Sequence, residues 1–263
     1  MTPEHARRWR DAVEVRRSRR AYDDGEPDPG DLAALHALAA SFRPYPDARV
    51  VVVTRPPADL FLGIVGSYGR VTGAPAALLF VGGRSVAAHH HVGYTGEAVV
   101  LEAAALGLDT CWVGGMFRGG VAGDLARPGA GERVYAVSPV GHALARRPLT
   151  ERLVHGPGGP KHRLGLETIA PGAEATWPVW ALEGARAVQL APSAMHRQPW
   201  RLRLERDGVV VAVDGPSTPL VTKRLDCGIA MLHFEVGARA AGADGTWEDL
   251  GRGRDVARWR PRG

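Results

Sequence analysis

Four constellations in this 263-residue chain have residue types and spacing suited to chemistry. The first, Arg16-Arg17-Ser18-Arg19-Arg20-Ala21-Tyr22, sets four guanidiniums and a hydroxyl at a helix-to-loop junction. Forked donors of this kind match phosphate oxygens, and a solvated basic face is the plainer alternative. The second, Ala191 to Trp200, holds Ser193, His196 and Gln198 in a loop stiffened by Pro192 and Pro199. Such a loop suits a polar ring edge or a ribityl chain; the alternative is a rigid helix–strand turn. The third, Gly107 to Gly115, follows an apolar strand with Gly114 and Gly115, where a flat ligand can approach the backbone closely. A plain core strand with a turn would read the same way. The fourth, Lys161-His162-Arg163, offers a second cationic pair for the same phosphate.

Other chemistries find less support. His89, His90 and His91 read as successive residues of a strand, whose side chains point to opposite faces. No cysteine or carboxylate cluster at ligand spacing accompanies them, so a structural or surface role and no metal site are expected. There is no Gly-x-Gly-x-x-Gly after a strand, no Walker loop and no Gly-x-Ser-x-Gly elbow. Cys111 lies in an apolar run and Cys227 beside Asp226; both read as inert buried thiols.

Composition narrows the class. Two cysteines form no disulfide framework, which points to a reduced, cytoplasmic protein. A hydrophobic fraction of 45% and a charged fraction of 23% exclude a wholly disordered chain. No apolar run approaches the roughly 18 residues that cross a bilayer, and no apolar stretch follows the charged N-terminus, as a secretory signal requires. The formal charge of +5 favours anionic partners. Yet only two of the 33 basic residues are lysines and asparagine is absent, the bias of a GC-rich coding genome. A nucleic-acid partner is therefore not expected.

Turn residues and periodicity give the elements that must position these groups. Residues 1–20 read as a basic amphipathic helix, and Asp28-Pro29 opens a second helix with Leu32, Leu35 and Leu38 on its apolar face. Strands are expected at 50–53, 74–81, 110–113 and 134–137. A helix is expected from Glu97 to Leu106, closed by Gly107. Helices at 180–190 and 225–237 flank a hairpin of strands 200–204 and 209–213 around Asp207-Gly208, read as a type I′ turn. The segment Arg252–Gly263, with five arginines, reads as a partly disordered tail. The order helix, strand, glycine-opened helix (Gly96, Gly228), then glycine and tryptophan occurs twice, which predicts an internal duplication.

In this order the segments resemble the flavin-dependent nitroreductase family, and more closely its subgroup with two nitroreductase-like lobes in one polypeptide. The resemblance rests on Arg-Arg-Ser-x-Arg-x-Tyr (16–22), Gly93-Tyr-Thr-Gly-Glu97 with 106–115, Pro139-Val-Gly-His142, Lys-x-Arg (161–163), residues 191–200 and Asp226-x-Gly-Ile. It implies an α+β, nitroreductase-like pseudo-dimer with central antiparallel-rich sheets flanked by helices. The first lobe would be 1–165 with phosphate-side ligands, the second 166–250 with the ring-side loop, and 251–263 an Arg-rich tail. FMN is the implied cofactor and NAD(P)H the electron donor. Nitroaromatics, quinones or similar small molecules are the implied acceptors in a ping-pong cycle.

By the same resemblance, Arg16, Arg17, Ser18 and Arg20 match positions that hold the phosphate and ribityl chain. Lys161 and Arg163 match a late basic pair that reaches the phosphate. Gly114 and Gly115 match the backbone beside the isoalloxazine. Pro192, Ser193 and His196 match a loop that a partner subunit supplies in the family, with His196 standing where asparagine is usual. No catalytic residue is implied, because the flavin carries the chemistry. The first half lacks a counterpart of the 191–200 loop and the second half lacks one of Arg-Arg-Ser-x-Arg. One FMN between the lobes of a chain that needs no partner is therefore expected. The alternatives are a non-catalytic flavin store or sensor, and a relative using a deazaflavin.

Overall fold

The computed structural model of the protein describes residues 1–23, 25–61, 71–144, 162–215, 222–251 and 253–262. Helix α1 (Pro3–Val15) starts where Thr2 accepts the His5 N–H, and it buries Trp9, Ala12 and Val13. Helix α2 (Pro29–Ser41) starts at Asp28, whose carboxylate accepts the Gly30 N–H at 2.7 Å. Then come β1 (Ala48–Thr54), β2 (Ala76–Gly82), α3 (Val86–Ala105), β3 (Asp109–Thr110), α4 (Gly119–Ala126) and β4 (Arg133–Gly141). The second half holds the short helices α5 (Leu166–Ile169) and α6 (Ala173–Thr176), then α7 (Val179–Gln189), β5 (Trp200–Glu205) and β6 (Gly208–Val213). It closes with α8 (Lys223–Ala240), β7 (Gly245–Asp249) and β8 (Asp255–Pro261).

The described strands form two antiparallel four-stranded sheets, ordered β1-β2-β4-β3 and β5-β6-β8-β7. Each sheet has the same connectivity, with a helix before its first strand and a long buried helix between its second and third. Even the register shifts recur on the second strand, between Phe80 and Val81 and between Val211 and Ala212. This is the duplication written in topology.

The run Ala-Ala-Leu-Leu-Phe-Val-Gly of β2 is apolar throughout because both of its faces are covered. Leu78 and Phe80 face the main core, and Ala77, Leu79 and Val81 face a smaller cluster with Leu60, Phe61, Ala122 and Ala126. Helices α3 and α8 cross so closely that each needs a glycine at the contact. A Cβ on Gly93 would lie 2.1 Å from the Leu225 carbonyl oxygen, and one on Gly228 would lie 2.0 Å from that of His90.

The structure corrects several expectations. Gly96 and Gly228 do not open helices; they lie inside α3 and α8, and the real starts are the caps Ser85 and Thr222. His89, His90 and His91 are therefore helical, and both His90 and His91 reach Asp249. The 251–263 segment is no tail, because β8 lies inside the second sheet with Trp259 fully buried. Its arginines answer acids elsewhere: Arg258 meets Glu205 at 2.7 Å, and Arg260 meets Glu248 at 2.7 Å. In the hairpin, Glu205 pairs with Gly208, so the turn residues are Arg206 and Asp207. Neither has a positive φ, as a type I′ turn requires.

Candidate cofactor-binding site

Helix α1 ends at Arg16, whose backbone ψ of 127° turns the chain out of the helix. The chain then runs extended against β3: Ser18 bridges Thr110, and the Arg19 N–H donates to the Thr110 carbonyl at 3.0 Å. Farther on, the Arg20 carbonyl accepts the Thr72 N–H at 2.9 Å, and the Tyr22 hydroxyl donates to the Arg19 carbonyl at 2.6 Å. A segment with few apolar residues is thus fixed by backbone pairing.

Arg16 is only 5% exposed, and its guanidinium donates to Ser18 Oγ at a long 3.5 Å. Its Nε is buried with no hydrogen-bond partner among the described residues. Burial lowers its pKa, against the opposing pull of Glu97. Arg17, exposed, donates to the carbonyls of Glu14 and Arg16, both at 2.8 Å. Arg163 arrives from the second half and donates to the carbonyls of Gln189 at 2.7 Å and Ala191 at 3.0 Å. Its pKa is pushed down to about 10, first by burial and then by repulsion from Arg16 and Arg17. Among the described residues, none of these three guanidiniums has a carboxylate within ion-pair distance. Three converging cations that only carbonyls and a hydroxyl answer form a corner built for an anion.

Arg163 also ties this corner to the 191–200 loop, since Ala191 immediately precedes Pro192 and Ser193. Gln198, 2% exposed, accepts the Leu164 N–H at 2.9 Å and donates to the His162 carbonyl at 3.3 Å. Ser193 Oγ accepts the Gln198 N–H at 2.9 Å. Asp226, in the first turn of α8, accepts the Ala194 N–H at 3.1 Å and pairs with Arg197 at 2.8 Å. These bonds hold Met195, His196 and Gln198 at φ of 53°, 55° and 45°, left-handed values that residues with a Cβ rarely adopt. Three such residues within four positions mark a loop whose shape is imposed by its surroundings.

The glycine pair sits on the other side of β3. Val113 exchanges two backbone hydrogen bonds with Val137, and the chain then opens into half-buried Gly114 and exposed Gly115. A Cβ on Gly115 would meet nothing within 4 Å, so a planar ligand has room there. Trp112 supports this edge: its ring stacks on Phe80 at 3.8 Å, and its Nε1 donates to Glu97 at 2.6 Å.

Arg16, Arg17, Ser18 and Arg163 thus come together, and the Arg163 guanidinium reaches the Ala191 carbonyl at the start of the loop that carries Pro192, Ser193 and His196. Ser18 bridges Thr110 of β3, the strand that leads to Gly114 and Gly115. Lys161 lies outside the described residues. A separate cleft of about 510 Å³, lined by Arg10, Glu14, Glu167, Glu174 and Arg186 among others, includes none of these residues. The sequence reading gave no role to Glu97, Trp112, His233 or Asp226, which brace the site. For Glu97, Asp226 and His233 the available signal is a carboxylate or imidazole within a buried helix, and Trp112 carries none of that kind.

Comparison with known proteins agrees with this architecture. A family described as "Putative TM nitroreductase" matches residues 10–238. A solved structure described as a putative nitroreductase from Thermotoga maritima superposes with a TM-score of 0.65 at 18% identity, covering 96% of this chain and 93% of that one. An FMN-dependent nitroreductase from Clostridium difficile gives a TM-score of 0.43 at 16% identity, covering 52% of this chain and 88% of that one. No curated protein matches.

Proposed function

The chain belongs to the nitroreductase family that matches residues 10–238, and from that premise we propose that it is an FMN-dependent oxidoreductase. It takes reducing equivalents from NAD(P)H and passes them to nitroaromatics, quinones or similar small acceptors. One FMN sits between the two lobes of a single chain, so no partner subunit is needed to complete the site.

The observation that carries this reading is the Arg16, Arg17 and Arg163 corner, with a buried Arg16 Nε that lacks a partner among the described residues. The donor set fits the FMN phosphate, whose charge would offset both the desolvation of Arg16 and the repulsion on Arg163. Ser18 adds a hydroxyl beside Arg16, and Arg20 and Lys161 complete the basic set. Gly114 and Gly115 leave their backbone open to the ring edge. Pro192, Ser193 and His196 supply the opposite wall, held by Asp226 and Gln198. When bound, FMN supplies the two-electron chemistry that links the nicotinamide to the acceptor. The chain's task is to bind, orient and shield, so no side chain is assigned as acid or base. Among the described residues no helix is long and apolar enough to cross a membrane.

The test is an absorbance spectrum of the purified protein followed by anaerobic addition of NADH or NADPH. Flavin bands in the near-ultraviolet and blue that bleach on addition support the enzyme. Bands that persist point to a flavin store or sensor. Arg20→Ala should lower the flavin content, and unchanged content would remove Arg20 from the site.

A further inference from the structure

We propose that His90, His91 and Asp249 form a binding site for one divalent transition-metal ion, and that this ion staples the two lobes together. The strand expected here from sequence, with no metal site, does not hold for the geometry of these histidines. On α3 they instead turn toward one carboxylate: His90 Nε2 lies 2.8 Å from Asp249 Oδ1, and His91 Nε2 lies 2.9 Å from Oδ2. The three donor groups lie within 4.8 Å of one another. A metal at roughly 2.0–2.2 Å from each donor holds the donors roughly 3.0–3.5 Å apart, so the two hydrogen-bonded pairs would spread slightly while the widest pair, within 4.8 Å, closes.

Two further features separate this cluster from an ordinary ion pair. His91 Nδ1 lies 2.7 Å from Asp47 Oδ1, and Asp47 Oδ2 accepts the Ser85 hydroxyl at 3.5 Å. A carboxylate on the far nitrogen of an imidazole is the arrangement that fixes the tautomer and ring orientation of a metal-ligating histidine. The Tyr45 ring lies parallel to His91 with centroids 3.9 Å apart and holds the imidazole plane. Proton counting points the same way. Both nitrogens of His91 face carboxylates, so without a metal both must carry protons to make both bonds. A metal on Nε2 replaces one of those protons and leaves Nδ1–H donating to Asp47.

Exposure gives the ion a route in. His90 and His91 are 1% and 9% exposed at the side chain, whereas Asp249 is 39% exposed. Ions would enter past the carboxylate, and water would fill the remaining coordination positions. Two imidazole nitrogens and a carboxylate suit zinc, cobalt, nickel or ferrous iron better than magnesium or calcium. Asp249 ends β7 in the second lobe, while His90, His91 and Asp47 belong to the first, so a bound ion links the lobes. The nearby cation Arg224 is tied back to the Gly253 carbonyl at 2.5 Å.

The experiment uses the untagged full chain, stripped with a chelator, dialysed and titrated with Co²⁺ while visible absorption is recorded. The expected result is one Co²⁺ per chain, displaced by Zn²⁺, with a rise in thermal midpoint on loading. Asp249→Asn and His91→Gln, each confirmed folded by circular dichroism, should abolish stoichiometric binding. Asp47→Asn should weaken it about 10–100-fold. Failure of the wild-type chain to bind one Co²⁺ overturns the proposal, whatever the variants do. So does full binding by a folded Asp249→Asn or His91→Gln variant. Flavin content measured on the same samples reports on the other site independently.

Discussion

His233 Nε2 lies 2.9 Å from Glu97 Oε1, with both side chains fully enclosed between α8 and α3. His233 Nδ1 faces the Ala187 carbonyl at 3.1 Å, so Nδ1 must carry a proton. One further proton then lies between Nε2 and Oε1, whichever atom holds it. Glu97 also accepts the Trp112 indole N–H at 2.6 Å. A single buried carboxylate therefore joins both central helices to the residue that leads into Gly114 and Gly115.

That proton count yields the first prediction. Glutamine at 97 can accept from Trp112 and donate to a neutral His233, so Glu97→Gln should change stability by less than about 1 kcal/mol. Glu97→Leu strands both partners in a dry interior and should cost about 3–5 kcal/mol. Denaturant unfolding of the two variants separates these outcomes, and equal losses would contradict the proton count.

Two glycines should respond in opposite ways. Gly93→Ala drives a methyl toward the Leu225 carbonyl, where a Cβ would sit at 2.1 Å, and should cost about 1–3 kcal/mol or more by prising α3 from α8. Gly115→Ala meets nothing within 4 Å and should leave stability unchanged. If Gly115 borders the ring, flavin affinity should fall in that variant alone, as a fluorescence titration would measure.

Arg16→Met should split stability from binding. The substitution removes a buried cation that has no ion-pair partner among the described residues, so the flavin-free protein should become more stable in thermal unfolding. FMN should bind about 10–100-fold more weakly, the loss of a charge-assisted phosphate contact of about 1.5–3 kcal/mol. Riboflavin, which lacks the phosphate, should bind both proteins alike.

Asp226 sets a pH dependence. Burial raises its carboxyl from 3.8 to about 6, against the pull of Arg197 and the Ala194 N–H. Between these values the folded chain holds a proton that the unfolded chain has released. The stabilisation from this group is thus full below about pH 4 and lost as pH rises through about 6. At about 1.4 kcal/mol per unit it amounts to roughly 3 kcal/mol. Unfolding free energies between pH 4 and 7 should show this fall in the wild type and a shallower profile in Asp226→Asn.

Much of the frame is legible in the sequence. The β-branched run of β1, the apolar run of β2, and Asp28-Pro29 at α2 are local signals, and the structure places those elements where the residues put them. The arginine run from Arg16 to Arg20 and the 191–200 loop are visible as motifs too. What stayed hidden depends on partners distant in sequence. The β8 alternation Val256, Ala257, Arg258, Trp259, Arg260 looks like a charged tail until Glu205, Asp207 and Glu248 are seen to neutralise it. The strand expected at the histidine triplet gives way to a helix because Ser85 caps α3, its hydroxyl accepting the Ala88 N–H at 2.9 Å. Glu97 and His233 are uninformative singly, and their meaning appears only once α3 and α8 meet.

Flavin stoichiometry reads out whether one FMN is clasped between the two lobes of one chain. The purified protein should be saturated with FMN, freed of excess and resolved by size, with flavin and polypeptide quantified in each species. One FMN per chain, retained in a monomeric species, is the predicted result. Two FMN per chain, or flavin found only in dimers, would contradict it.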